Sequence, residues 1–527
     1  MAKYRGFSNK HNSGSTGRQD NHFARTPVAN TMKSRFNRDY IHKTTFNAGK
    51  LIPIYIDEVL PGDTHEIDMA YITRMSTPIF PTMDNMELDF YFFFVPNRIV
   101  WTGWQALHGE NTSSAWAPPT SPSLVPAVHS SAASVENISV GSLGDYYGLP
   151  VGIKVIASDG VSSLPFRGYA AIWNRWFRDQ NFQAPIPFGL GNSNDSYAFV
   201  CHPAHEPMSV NKKHDYFTSC LPGTLKPVVT SVVPRTISWL DSGIAFPTDG
   251  IGLAEDIQRR TSYVGGPNSL GLNMIQVLRN AFQLNRLLER DNRSGNRYIE
   301  LLKAHFSVDA GDYRLDYPEF LGSHHTSVGI NQVPQTSSTD AVSPQGNVAA
   351  FSLTNGYAPI FKKSFVEHGY IHGFVCARQR KTYQQGIERF WFRRDRFDFY
   401  YPELAHITEQ PVSRREIYAE ANGSLGDQYT FGIQEAWADY RYKPNRVSGQ
   451  FRSGIENSLD AWHYADYYQE PPVMSNAFIT DNSAQNLDRT IAVSSTVNHQ
   501  IIADLKICNK STRPMPTYSI PMLADHF

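Results

Sequence analysis

Apolar residues in this chain recur mostly at period two. Leu51-Ile52-Pro53-Ile54-Tyr55-Ile56 opens a strand-like run that stops at the Pro61-Gly62-Asp63 turn. A second run covers Ile67 to Met75 and ends before Pro78, and a third covers Met86 to Val95. In the third, Leu88, Phe90, Phe92 and Phe94 share one face while Tyr91 and Phe93 fill the other, so the strand should be buried on both sides.

The middle of the chain is less regular. Residues 106–165 are a low-charge stretch of Ser, Pro, Ala and Gly, too long for an ordinary connection and read as an insertion. Tyr169, Ile172, Trp173, Trp176 and Phe177 then recur at helical spacing. Met208 to Leu221 reads as another strand, and 224–271 shows no sustained period. Leu272, Ile275, Leu278, Phe282, Leu284, Leu287 and Leu288 form a broad helical stripe, with Ile299, Leu302 and Phe306 on a second helix. Residues 323–356 return to Ser, Thr, Gly and Asn, so 272–356 reads as one helical and irregular insertion. Strands resume at Tyr370 to Val375, Phe390 to Tyr401 and Tyr429 to Tyr442, and strand-like runs alternate with Pro514, Pro516 and Pro521 in the tail. Strands at both ends with long excursions between them predict one antiparallel sandwich over 46–527, not a string of domains.

Composition sharpens this picture. Of 527 residues only 18% are charged and 13% are aromatic, which excludes disorder and favours surface buried against partners. The net charge of −1 hides an asymmetry. The first fifty residues carry Lys3, Arg5, Lys10, Arg18, Arg25, Lys33, Arg35, Arg38, Lys43 and Lys50 against Asp20 and Asp39, about +8 by count. Residues 1–45 therefore read as a flexible basic arm, either a polyanion contact or a solvated terminus. The longest apolar run, Phe90 to Val95, is too short to span a bilayer, so no membrane insertion is expected. The N-terminus carries no signal-peptide pattern. Cys201, Cys220, Cys376 and Cys508 make no disulfide framework.

No reaction is written in the chain. There is no phosphate-binding loop, no nucleophile elbow and no H-E-x-x-H, and Pro207 would break any helix after His205-Glu206. Cys201, His202, His205, His214 and Cys220 are metal-ligating types, but their spacing matches no common zinc site. Asp309, Asp312 and Asp316 lack the glycine and glutamate of a calcium loop. No enzyme activity, metal or cofactor is therefore expected. As a strand, Arg389, Trp391, Arg393 and Asp395 would share a face. That face is either a single-stranded nucleic-acid platform or a sheet edge with snorkelling arginines.

Several segments are recognisable together. Phe36-Asn37-Arg38-Asp39-Tyr40, Leu60-Pro61-Gly62-Asp63, Phe94-Val95-Pro96-Asn97-Arg98 and Trp173-Asn174-Arg175-Trp176-Phe177-Arg178 come first. Asp215-Tyr216-Phe217-Thr218-Ser219-Cys220, Pro318-Glu319-Phe320-Leu321-Gly322, Tyr440-Arg441-Tyr442-Lys443-Pro444 and Asp525-His526-Phe527 follow in order. The set resembles the major capsid protein of gokushoviruses, small single-stranded DNA bacteriophages of the Microviridae. The resemblance implies an eight-stranded jelly roll that self-assembles into a T=1 icosahedral shell around circular single-stranded DNA. It also implies minor virion proteins (pilot, scaffolding and DNA-binding) as partners, assembly in the host bacterial cytoplasm and location in the virion. The family's threefold insertion, which meets a host surface receptor, maps to about 224–271, where Trp239, Phe246 and Tyr263 are the large rings. In that setting Lys3, Arg5, Lys10, Arg18, Arg25, Lys33, Arg35 and Arg38 would contact packaged DNA. The rival readings are a carbohydrate-binding β-sandwich and a soluble single-stranded-DNA-binding protein.

Overall fold

The period-two runs become two antiparallel sheets in the computed structural model of the chain. It describes residues 32–110, 124–129, 138–152, 160–196, 206–224, 316–339, 344–420 and 425–518, with scattered positions between 282 and 304. Five strands come early: β1 (Ser34–Asn37), β2 (Tyr40–Phe46), β3 (Ile52–Val59), β4 (Thr64–Met75) and β5 (Met86–Pro96). Three short ones, β6 (Ala127–His129), β7 (Val161–Ser162) and β8 (Asp195–Ser196), form a small side sheet. Then come β9 (Glu319–Ser327), the hairpin β10 (Ile330–Pro334) and β11 (Val348–Ser352), β12 (Thr354–Ser364) and β13 (Gly369–Gln379). A separate pair, β14 (Glu409–Ser413) and β15 (Thr430–Glu435), precedes the last strand, β16 (Ile501–Arg513).

The first sheet runs β1-β16-β4-β12 with β2 also on β16, and the second runs β3-β13-β5-β9. Every pairing within these two sheets is antiparallel. They close on one apolar layer. Phe46, Ile67, Met69, Leu505 and Ile507 from the first sheet meet Ile54, Leu88, Phe90, Phe92 and Ile371 from the second. Each buried phenylalanine contributes on the order of 2–3 kcal/mol relative to exposure. This is a β-sandwich of the jelly-roll type.

The expected double burial of β5 holds. Its even positions join the sandwich layer, while Phe93 and Val95 join a second core with Trp101, Tyr169, Trp173 and Phe374. The helix Leu164–Ile172 packs there. Its Arg167 is wholly buried, with Nε on Asp195 at 2.5 Å and the other nitrogens on the carbonyls of Val100, Gly191 and Ser193. A third core, around Phe217, Val412, Ile417, Phe431 and Phe478, holds a lobe built from the long β13–β16 connection and residues 216–220.

Several expectations are corrected. The arm expected over 1–45 is in part a strand edge, since β1 and β2 pair with β16 from Ser34 onward. The cause is non-local, since their partner lies at the other end of the chain. Among the described residues the two sheets hold nine strands, β1 and β2 being two segments of one edge along β16, interrupted between Asn37 and Tyr40. The 272–356 insertion was expected to be helical and irregular throughout, but β9 to β12 occupy 319–364. Gly322 permits β9 by leaving room for the Ile360 carbonyl. Met208 to Leu221 is no strand, because the Asp215 side chain accepts from the Phe217 and Thr218 amides and folds a turn. Phe390 to Tyr401 is a pair of 3-10 turns, Arg389–Phe392 and Arg396–Asp398, the latter closed by a reciprocal Asp395–Asp398 cap. The last run is a strand only over Thr430–Glu435, ending before Trp437 at φ 64°.

Candidate functional site

The lobe is fastened to the sandwich by buried charges. Lys381 lies just beyond β13, and its Nζ is 2.9 Å from Asp481 and 4.0 Å from Asp466. Lys212 reaches Asp466 at 3.4 Å, and Asp466 also accepts from Asn486 at 2.6 Å and Tyr468 at 2.9 Å. All four charged groups are buried. Burial works to raise the Asp466 carboxyl. The ammoniums of Lys381 and Lys212, with the Asn486 and Tyr468 donors, hold it below its ordinary value.

On its outer side the lobe presents aromatic rings among paired charges. A groove of about 670 Å³ runs between Tyr216, Arg389, Trp391, Tyr440 and Arg446. Its cations are engaged within the chain: Arg389 with Glu416, Arg393 with Asp439, Lys443 and Arg446 with Glu388. Arg393 lies 4.1 Å from the centre of the Tyr440 ring, and Arg415 lies 3.5 Å from that of Phe392. Beside the groove, residues 394–403 are all exposed, including Phe397, Phe399, Tyr400 and Tyr401. The segment is nonetheless held in shape. Asp398 Oδ2 accepts from the Arg394 and Asp395 amides at 2.9 Å, and Tyr440 Oη accepts from the Tyr400 amide at 3.3 Å.

Of the basic residues singled out in the sequence, Lys3, Arg5, Lys10, Arg18 and Arg25 lie outside the described residues. Lys33 donates to the Gly62 carbonyl at 3.0 Å, and Arg35 is exposed on β1. Arg38 is paired with Asp57. Trp239, Phe246 and Tyr263 lie outside the described residues, as do Cys201, His202, His205, Asp309 and Asp312. Asp316 pairs with Arg98 at 2.5 Å. His214 is exposed, whereas Cys220 is buried and directs its thiol to the Tyr216 carbonyl, with burial pushing that thiol up to about 12. Among the described residues no group of three or more His, Cys, Asp or Glu could hold a metal ion. Among them, too, no helix is long and apolar enough to cross a membrane. The Arg389–Asp395 face does not exist as a strand face. The Asp-x-x-Asp spacing at 395 and 398 was the available signal for the turn that replaces it.

Comparison with known proteins bears on the whole chain. The family model described as "Capsid protein (F protein)" matches residues 24–523. "Capsid protein VP1" of Bdellovibrio phage phiMH2K is 36% identical, over 96% of this chain and 98% of that protein. "Capsid protein VP1" of Chlamydia phage 1 is 34% identical over 95% and 98%, and that of Spiroplasma virus 4 is 38% identical over 92% and 94%.

Proposed function

We propose, because this chain belongs to the family of phage capsid proteins (F protein), that copies of it close into a T=1 icosahedral shell around circular single-stranded DNA. That it is a structural capsid protein of gokushovirus type, part of a multi-subunit capsid and not an enzyme, follows from the family itself. One observation carries the finer reading: the correspondence to capsid proteins runs nearly end to end on both sides of each comparison. The two-sheet sandwich supports it, since strands with long loops leave many surfaces for neighbours.

Lys3, Arg5, Lys10, Arg18 and Arg25, joined by exposed Arg35, supply the positive charge that meets the packaged DNA. Lys33 and Arg38 have a smaller part in this, because both already serve the sandwich. Residues 224–271, with Trp239, Phe246 and Tyr263, form the surface that meets a host receptor. Assembly proceeds in the host bacterial cytoplasm with pilot, scaffolding and DNA-binding proteins as partners.

Electron microscopy of the purified full-length chain tests the shell. Uniform particles with icosahedral symmetry are expected, and particles without symmetry overturn it. Deletion of residues 1–31 tests the arm. Each lost DNA contact should lower the salt slope of binding by about 0.7. An unchanged slope removes the arm from the DNA.

A further inference from the structure

We infer that the exposed aromatic surface around Trp391 and Phe397 is a contact between copies of this chain, one subunit's segment 389–403 docking against its neighbour. The inference deepens the shell reading and rests on it. Trp391 and Phe397 are 66% and 75% exposed, and ten consecutive residues, 394–403, are exposed with them. With Phe390, Phe399, Tyr400, Tyr401 and Tyr440, these residues expose on the order of 800 Å² in all. That area matches what one partner brings to a standard protein interface, about 800 Å².

The charge pattern selects a protein over a nucleic acid as occupant. Residues 388–403 hold four arginines and four carboxylates, and 388–446 hold nine cations and ten carboxylates. Within that segment and beside it, Arg389 pairs with Glu416 and Arg393 with Asp439, while Glu388 takes both Lys443 and Arg446. A phosphate backbone needs a net positive track, which segment 388–403 lacks. Aromatic residues and arginine, the types enriched at protein interfaces, make up most of this segment. The shape is also set in advance. The Asp395–Asp398 cap, the Tyr440 hydroxyl and the packing of Tyr400 on Trp437 and of Phe392 under Arg415 hold the segment, so docking costs little ordering.

The test uses the full-length chain in two forms. In the first, Trp391→Ala and Phe397→Ala are combined. Because both rings are exposed, circular dichroism and thermal midpoint should match the parent protein. The concentration needed for assembly should rise about tenfold or more. Assembly at the parent concentration overturns the inference, as does normal assembly with weakened binding to a single-stranded oligonucleotide. In the second, the photoreactive residue p-benzoylphenylalanine replaces Phe397. A covalent link between two chains is expected. Links only to DNA, only within one chain or to nothing overturn the inference. Because the link is read from chain pairs, it remains decisive even where closed shells fail to appear, an outcome that counts against the shell reading alone.

Discussion

Arg38 grips Asp57 with both ends of its guanidinium, Nη1 to Oδ2 at 2.6 Å and Nη2 to Oδ1 at 2.7 Å. The pair joins the first sheet, between β1 and β2, to β3 of the facing sheet. Asp57 accepts from Tyr55 and Asn509 as well, and Asn509 lies within 3.2 Å of the buried His65. A residue whose charge suggests DNA contact is thus the clasp of the sandwich edge.

Replacing Arg38 with alanine should therefore lower stability by about 1–3 kcal/mol, the range for a charged hydrogen-bonded partner removed from a buried carboxylate. It should change the salt slope of DNA binding by less than Arg5→Ala or Arg18→Ala. Urea unfolding beside a salt titration of oligonucleotide binding separates the two effects. The reverse ranking would return Arg38 to the DNA.

Asp466 balances two buried ammoniums, so among the described residues Asp466→Asn leaves Lys381 with Asp481 and Lys212 with no paired carboxylate. The expected loss at pH 7 is on the order of 3–5 kcal/mol. The carboxyl is depressed in the folded state, so its contribution is present above the unfolded value, about 3.9. It is lost as pH falls toward the folded value. Chemical denaturation at pH 7 and pH 3 should show a smaller difference for the variant than for the parent.

His372 lies in β13, wholly buried, with Nδ1 on the Tyr147 hydroxyl at 3.0 Å. Burial pulls its imidazole down to about 3. The unfolded chain takes up a proton below about pH 6.5 while the folded one refuses it. Stability should thus fall as pH drops, by about 2 kcal/mol at pH 5. His372→Gln should flatten this limb between pH 6.5 and 5, and an unflattened limb would assign it to other groups.

Cys220 and Cys376 are buried, and burial pushes both thiols up to about 12. Neither should be alkylated by iodoacetamide in the native protein, and both should react after unfolding. Peptide mapping by mass spectrometry reads each site. Labelling of either in the native state would show that its core opens locally.

Much of the sandwich is legible along the chain, because strand faces are set by neighbours two residues apart. The alternation in Met86 to Val95 announces a strand buried on both sides, and β5 is one, shared between two cores. The same logic fails at Phe390 to Tyr401, where the aromatics suggest a strand but Asp395 and Asp398 bond the backbone into a turn. It also misses β9 to β12, whose Ser, Thr and Gly carry little hydrophobic signal and whose order comes from pairing with β4, β5 and each other.

By itself the sequence determines what short-range physics controls: the principal strands, the concentration of charge in the first fifty residues, the lack of a catalytic motif and the ordered landmarks of a capsid protein. Only the tertiary structure decides which charges are available for partners. Arg38 meets a carboxylate 19 residues away, and Lys212 meets one 254 residues away. Pairing over such separations depends on how the sheets and the lobe close, which no local pattern encodes. The same closure leaves Trp391 and Phe397 outside every core, turning rings that look like core material into a surface.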